Sequence, residues 1–372
     1  MENAKKRLVF VGGGHVHLFS LKHAEELIKN NAEVVLIGPD RFHYYSGMGP
    51  GMLSRIYQPE QVRFDVQRTV ESRGGRFIQG RVASVNAKEK TLFLEGGEKV
   101  AYDLVSFNIG SRVPMHLITG AEKEAFPVKP IETLEKVRSK ILEKRRTENQ
   151  KIVVIGGGPA GVEMAGNFWR LLKEESVPGE IILLNSSKNL LPHMPERAGR
   201  LAEQSLSKRG ITIINDSHVV FLSDGVVYPE SGEEIAFDIA LLTIGIRPPD
   251  LFFRSGLKIA DDGALLVNDY LQSVDYPEIF GGGDCIALQG GPLDRVGVYA
   301  VREAPVLFDN LLASLQEKPL EKFAPQKRYL LIFNMGDGTG IFVRGSFVWK
   351  GRLAFYLKNY LDTSFMSKFQ VV

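Results

Sequence analysis

Three consecutive glycines stand at Gly12-Gly13-Gly14, and again at Gly156-Gly157-Gly158 ahead of Pro159-Ala160-Gly161. Each run directly follows a short apolar stretch, Leu8-Val9-Phe10-Val11 or Ile152-Val153-Val154-Ile155, and each opens a segment with helical spacing. Strand, glycine turn and helix in that order begin a dinucleotide-binding βαβ unit. Glycine lets the backbone turn tightly and approach a pyrophosphate, whose charge then rests on the unpaired N–H groups and positive dipole end of the helix. One such motif is a weak signal; two in the same context, about a domain length apart, predict two dinucleotide sites.

At 372 residues the chain is long enough for two or three domains, each with its own core. A net charge of +2 supplies no field that favours nucleic acid as a partner. Cys285 is the only cysteine, so neither a disulfide framework nor a four-cysteine zinc site can form, and no metal site is expected. The chain passes from Lys5-Lys6-Arg7 into an apolar run too short for a signal peptide. No segment reaches the roughly 20 apolar residues that span a bilayer. These features predict a cytoplasmic protein whose only membrane contact would be at a surface.

After the first glycine turn, Leu18, Leu21, Leu27 and Ile28 share a helical face, and Val34-Val35-Leu36-Ile37 reads as the second strand. An acid at the end of that strand usually takes the ribose hydroxyls; Gly38 stands there, leaving Asp40 as a substitute. His17 occupies the third-glycine place, which predicts a helix set slightly off the strand. Strands are expected at Arg76–Ile78, Arg81–Val85, Thr91–Leu94 and Tyr102–Val105, and a basic helix over about 131–147. The second unit continues to Ile181-Ile182-Leu183-Leu184 and then Asn185-Ser186-Ser187-Lys188, where no acid stands. Small polar groups and a lysine there are compatible with a 2′-phosphate, so both NADH and NADPH stay open, and Lys188 reads equally well as an ordinary surface charge.

The order of the glycine motif, Tyr102 to Gly110, the second glycine motif, Phe237 to Gly245, and Ile279-Phe280-Gly281-Gly282-Gly283-Asp284 resembles two-dinucleotide flavoproteins, in particular type II NADH dehydrogenases and sulfide:quinone reductases. Gly12-Gly13-Gly14-His15-Val16-His17, Tyr45-Ser46-Gly47-Met48 with Pro50-Gly51, and Phe365-Met366 with Phe369-Gln370 look most like the NADH-dehydrogenase-like flavoproteins found alone or fused to selenophosphate synthetase. The resemblance implies an α/β fold of two Rossmann-like three-layer dinucleotide-binding domains, glutathione-reductase-like, plus a small α+β C-terminal domain. It places FAD in the first unit and NADH or NADPH in the second. The expected division is 1–115 and 241–325 for FAD, 116–240 for the nicotinamide nucleotide, and 326–372 for the C-terminal domain.

Cofactor contacts are expected from Gly12, Gly13, Gly14, His15, Asp40, Tyr45, Ser46, Val82 and Gly110 on the FAD side, and from Gly156, Gly158, Pro159, Ala160, Gly161 and Gly245 on the nicotinamide side. Gly283 and Asp284 resemble the family segment whose aspartate bonds the ribityl chain; a turn aspartate bonding its own backbone is the plain alternative. Val298 and Tyr299 open a segment like the family helix that points at the flavin pyrimidine, where a helix dipole stabilises the reduced ring. Val82 matches the residue whose backbone meets the adenine. His15 and His17 sit where residues cap or pack rather than catalyse. From Phe42 to Tyr57, Tyr44, Tyr45, Met48 and Met52 would wall the flavin, with Gly47, Gly49 and Gly51 letting backbone lie against it.

Glu163 stands two residues past the last glycine, where the resemblance implies an acid near the nicotinamide, and is the candidate catalytic residue; it reads equally well as a first-turn glutamate that a helix dipole favours. Cys285 cannot pair within the chain, which weakens disulfide-reductase and sulfide:quinone chemistry in favour of direct hydride transfer. The expected activity is FAD-dependent NAD(P)H dehydrogenation with a quinone or another small acceptor. The alternatives are a sulfide:quinone-type enzyme, or a flavin-bearing partner protein in selenium or sulfur metabolism. Gly336 to Gly340 reads as a hairpin connection. The stretch Phe347 to Tyr360 mixes aromatics and cations as an interfacial helix does, and suits a membrane surface or a homodimer contact.

Overall fold

The computed structural model describes residues 5–143, 149–291 and 293–370. Two five-stranded parallel sheets form its frame. The first runs in the order Ile279–Gly281, Leu104–Phe107, Lys6–Val11, Ala32–Gly38, Arg76–Gln79. The second repeats the arrangement as Phe126–Pro127, Ile239–Leu242, Gln150–Ile155, Gly179–Leu184, Thr212–Ile214. In both, the strand before the glycine turn is central and covered on both faces, which is why Leu8 to Val11 and Ile152 to Ile155 are uninterrupted apolar runs and all buried. Each unit adds a three-stranded antiparallel meander, Val82–Asn86 with Thr91–Leu94 and Lys99–Ala101, and Val219–Ser223 with Val226–Pro229 and Ile235–Ala236.

The chain leaves the first sheet for the second and returns through Ile279–Gly281, after which the long helix Gly297–Leu315 packs on His15–Lys22. Strand Ile239–Leu242 pairs with Ile152 to Ile155, so the second sheet includes residues on both sides of position 240. The C-terminal part is the meander Leu330–Asn334, Gly340–Arg344, Phe347–Gly351, followed by helix Arg352–Phe369.

Several local expectations shift. The first glycine helix ends at Lys22 and a second, Ala24–Lys29, follows; between them His23 departs from helical dihedrals at φ −106° and ψ 22°, with its imidazole Nδ1 on the Phe19 carbonyl at 2.8 Å. The basic helix spans Thr133–Glu143, and the part of that expectation at 144–148 lies outside the described residues. Phe347 to Tyr360 is not one helix: Phe347–Gly351 pairs with Gly340–Arg344, and the helix starts only at Arg352. The Phe42 to Tyr57 segment is ordered into a strand, a 3-10 turn and helix Gly49–Leu53. Within it, Met48 and Met52 are core residues at 1% and 0% exposure rather than a wall facing outward. Gly49 faces Ile131 and Leu134, and Gly51 faces the Tyr57 ring, so these glycines admit protein side chains. The Gly336 to Gly340 hairpin connection joins its two strands as expected.

Candidate cofactor cradles and active site

At the first glycine turn, Gly12 adopts φ +87°, and a Cβ there would meet the Asn108 carbonyl oxygen at 2.3 Å. A Cβ on Gly14 would meet Asn108 Oδ1 at 2.1 Å. The backbone of Asn108 crowds Gly12 and its side chain crowds Gly14: Oδ1 accepts from Val16 N–H at 3.3 Å and Nδ2 donates to Gly282 O at 2.6 Å, locking the turn to the returning strand. Gly14 caps the helix without a side-chain bond, and the N–H groups of Gly13, Gly14 and His15 carry no protein partner among the described residues. This is an anion cradle built of backbone.

The second turn repeats it. Gly156 has φ +119°, and a Cβ on Gly161 would fall 1.7 Å from Gly156 O, so the helix can close on the strand only with glycine there. Gly158 caps the helix, Pro159 is its first residue, and a Cβ on Gly158 would meet nothing within 4 Å. The Gly158, Ala160 and Gly161 N–H groups are without protein partners among the described residues. Gly110 and Gly245, at equivalent strand ends in the two units, have φ +66° and +99° and face open space. Both cradles therefore fit a dinucleotide. Asn185 is buried and bonds Ser187 O at 2.7 Å and Asn215 Oδ1 at 2.8 Å, while Lys188 is exposed.

His17 is fully buried, and its ring lies edge-on to Phe10. Nδ1 donates to Gly12 O at 2.6 Å, a carbonyl being able only to accept, and Nε2 accepts from the Ser106 hydroxyl at 2.9 Å. Burial pushes it down to about 4, so it is a neutral packing group at pH 7. His15 stacks on Phe365 and lies 3.5 Å from His43 through its Nδ1, while its buried Nε2 has no partner in the protein. Burial lowers it to about 4 as well, against the pull of Asp284. Asp284 accepts from Ser111 Oγ at 2.7 Å and Lys129 Nζ at 2.9 Å. Burial alone would raise its pKa; Lys129 and Ser111 outweigh that and hold it below the ordinary carboxylate value.

Next to it, Gly283 N–H donates to Glu303 at 2.5 Å, and burial drives the Glu303 carboxyl up to about 7. A folded-state pKa above the ordinary 4.5 means stability that is fully present below pH 4.5 and lost as pH rises through 7. Glu303→Gln, which mimics the neutral acid, should match wild type in urea unfolding at pH 5 and exceed it at pH 8 by up to about 3 kcal/mol, at about 1.4 kcal/mol per unit. The same offset at both pH values would contradict a protonated Glu303. Asp284, Glu303, Arg295, Val296 and Tyr299 line a cavity at the start of helix Gly297–Leu315. Val298 is half-buried there, and Tyr299 is buried with its hydroxyl on Gln326 O at 3.0 Å. Asp40 is exposed and accepts from Phe42 N–H at 2.8 Å; Val82 is half-buried at the start of its strand.

The third assembly joins all three parts of the chain. Tyr45 OH donates to Asp362 Oδ1 at 3.0 Å, and Ser46 opens the adjoining turn. Lys358 Nζ donates to Asp362 Oδ2 at 2.9 Å and to Gly47 O at 2.8 Å, and Tyr57 OH to Asn359 Oδ1 at 2.7 Å. Glu163 Oε1 accepts from Asn334 N–H at 2.6 Å. Burial raises Glu163 to about 7, partly opposed by Lys358. Lys358 stays charged because Asp362 and Glu163 outweigh the effect of burial. Cys285 is buried against Phe107 O and Gly282 O with its thiol pushed up to about 12, which removes it as a nucleophile.

Asn108, Ser111, Lys129, Lys358 and Asp362 were not expected from the sequence. Of these, the i,i+4 spacing of Lys358 and Asp362 in the aromatic-rich C-terminal helix carried a signal.

Two dinucleotide cradles of like build define an oxidoreductase of the two-dinucleotide class. Residues 6–304 match the pyridine nucleotide-disulphide oxidoreductase family, and the chain belongs to it. It is 29% identical to ferroptosis suppressor protein 1 of Taeniopygia guttata over 97% of this chain and 94% of that protein. It is 25% identical to demethylphylloquinone reductase NdbB of Synechocystis over 97% of this chain and 93% of that protein. Its fold is that of NDH2 from Plasmodium falciparum, solved with NADH, with a TM-score of 0.84 at 15% identity over 98% of this chain and 97% of that one. The type II NADH dehydrogenase resemblance read from the sequence is borne out.

Proposed function

We propose that the protein is an FAD-dependent NAD(P)H:quinone oxidoreductase. What carries this reading is the pair of partner-free backbone cradles converging on Glu163, Lys358 and Asp362. Gly12, Gly13, Gly14, His15, Gly110, Gly283 and Asp284 would hold FAD, together with the Val298–Tyr299 helix start, and Asp40 and Val82 would serve its adenosine portion. Gly156, Gly158, Pro159, Ala160, Gly161 and Gly245 hold the nicotinamide nucleotide. Bound FAD supplies a two-electron carrier between the nucleotide and an acceptor.

The protein aligns the groups and manages protons. Hydride carries two electrons and one proton away from NAD(P)H, and a quinone needs two electrons and two protons to become a quinol. The second proton comes from solvent. Lys358 has three N–H donors, two of them committed to Asp362 and Gly47, and offers the third to a quinone oxygen. Glu163, with its pKa near 7, is suited to return a proton to this cation. Tyr45 and Ser46 shape the covering loop. The test is steady-state oxidation of NADH and of NADPH with a soluble short-chain quinone: quinone-dependent turnover supports the reading, and its absence with both donors overturns it.

No helix among the described residues is long and apolar enough to cross a membrane. The outer face of helix Arg352–Phe369 nevertheless leaves Leu353, Tyr356 and Tyr360 exposed by 73%, 61% and 67%. Spaced at i, i+3 and i+7, they form an amphipathic stripe suited to lying in a lipid interface. Lipophilic quinone would be collected there, by a peripheral protein. Replacing Leu353 and Tyr360 by Glu should cut sedimentation with anionic vesicles by roughly tenfold or more; unchanged sedimentation sinks the membrane contact, and a halved molecular mass in solution would assign the stripe to a homodimer.

A further inference from the structure

Asp362 is 6% exposed on a helix whose opposite face is open to solvent. A carboxylate is costly to bury unless both oxygens are matched, and here Oδ1 takes the Tyr45 hydroxyl and Oδ2 the Lys358 ammonium. Helix stability does not account for the pair. Lys before Asp at i,i+4 is the less favourable order, worth a few tenths of a kcal/mol at most on an open face, whereas these side chains are only 14% and 9% exposed. The charged and titratable groups facing the pair are Tyr45 and Tyr57 from the covering loop and Glu163 from helix Pro159–Glu174.

We propose that Asp362 is a positioning residue for reduction of the acceptor: it holds Lys358 protonated and aimed, and through Tyr45 ties that cation to the Phe42–Tyr57 segment. The proposal rests on the function given above. Without Asp362, burial acts on Lys358 opposed mainly by Glu163, and the amine loses its proton at lower pH. The Tyr45 bond keeps the covering loop in register with the C-terminal helix, so the same carboxylate fixes both the charge and the place of the donor.

The pH profile of quinone-dependent kcat in the FAD-loaded full chain tests this. Asp362→Asn should bring the alkaline limb down by about one pH unit and lower turnover on that limb by about tenfold, since one unit is a factor of ten in the protonated fraction. Asp362→Glu, which restores the charge, should return the limb toward wild type. A merely structural role would change the melting temperature and leave the limb where it was, and that result overturns the proposal. If the Asn variant does not fold, Asp362→Ser, neutral and smaller, is read by the same criterion. Wild type with no quinone-dependent turnover would remove the function itself; wild-type turnover with an unmoved limb in the neutral variant removes only the role of Asp362.

Discussion

Gly158→Ala raises the KM for NAD(P)H at least about tenfold while flavin content and melting temperature stay at wild-type values. The Cβ it adds meets no protein atom within 4 Å, and the residue sits at φ −75°, so the fold has no reason to change. In the proposed function this open space receives the pyrophosphate, and a methyl group there would break hydrogen bonds to a charged ligand worth about 1.5–3 kcal/mol each. At 1.4 kcal/mol per decade that is about one to two decades of affinity. Gly161→Ala is the contrasting variant: its Cβ would lie 1.7 Å from Gly156 O, so the turn itself must break and stability falls with binding. Nucleotide titrations alongside thermal unfolding separate the two. An unchanged KM in Gly158→Ala would place the nucleotide elsewhere.

Lys358→Met lowers quinone-dependent kcat by about 10²-fold, the usual scale for a positioned proton donor, and leaves the rate of flavin bleaching by NADH at its wild-type value. The bleaching step needs alignment but no acid; reduction of the acceptor needs a proton, and Lys358 keeps one N–H donor free of Asp362 and Gly47. Removing one partner of an enclosed pair also costs about 3–5 kcal/mol of stability, so Lys358→Arg is the folded comparator. It keeps the charge and the bond to Asp362 but does not release a proton in the working range. Slow quinone reduction in both variants identifies proton delivery; recovery in the Arg variant identifies charge alone. Slowed bleaching in both would move Lys358 to the nucleotide half of the reaction.

The frame of this molecule was legible because glycine turns are local. Gly12 to Gly14 and Gly156 to Gly161 are announced by the apolar strands before them and the helical spacing after them, although Asn108 and Thr243, distant in sequence, close the turns. The exceptions were set by side chains the local pattern ignores. The helix that Leu18 to Ile28 suggested divides at His23, whose side chain bonds back to Phe19. Phe347 and Trp349 project from a strand that Gly351 ends, so aromatic spacing that looked helical belongs to two elements. The site was half legible for the same reason. Asp284 stands beside its glycines, but its cation Lys129 is 155 residues away, and Tyr45 and Asp362 are 317 apart. Those pairs exist only because the chain leaves the first sheet, builds the second and returns, a route no local spacing records.

The most direct measurement is the visible spectrum of the purified protein under anaerobic conditions, first alone, then with NADH or NADPH, then with a soluble quinone. A yellow protein that bleaches with a nicotinamide nucleotide and regains its colour on adding quinone shows both cradles filled and both half-reactions in sequence. A yellow protein that neither nucleotide bleaches would contradict it, leaving a flavin-bearing partner whose second glycine turn serves another ligand.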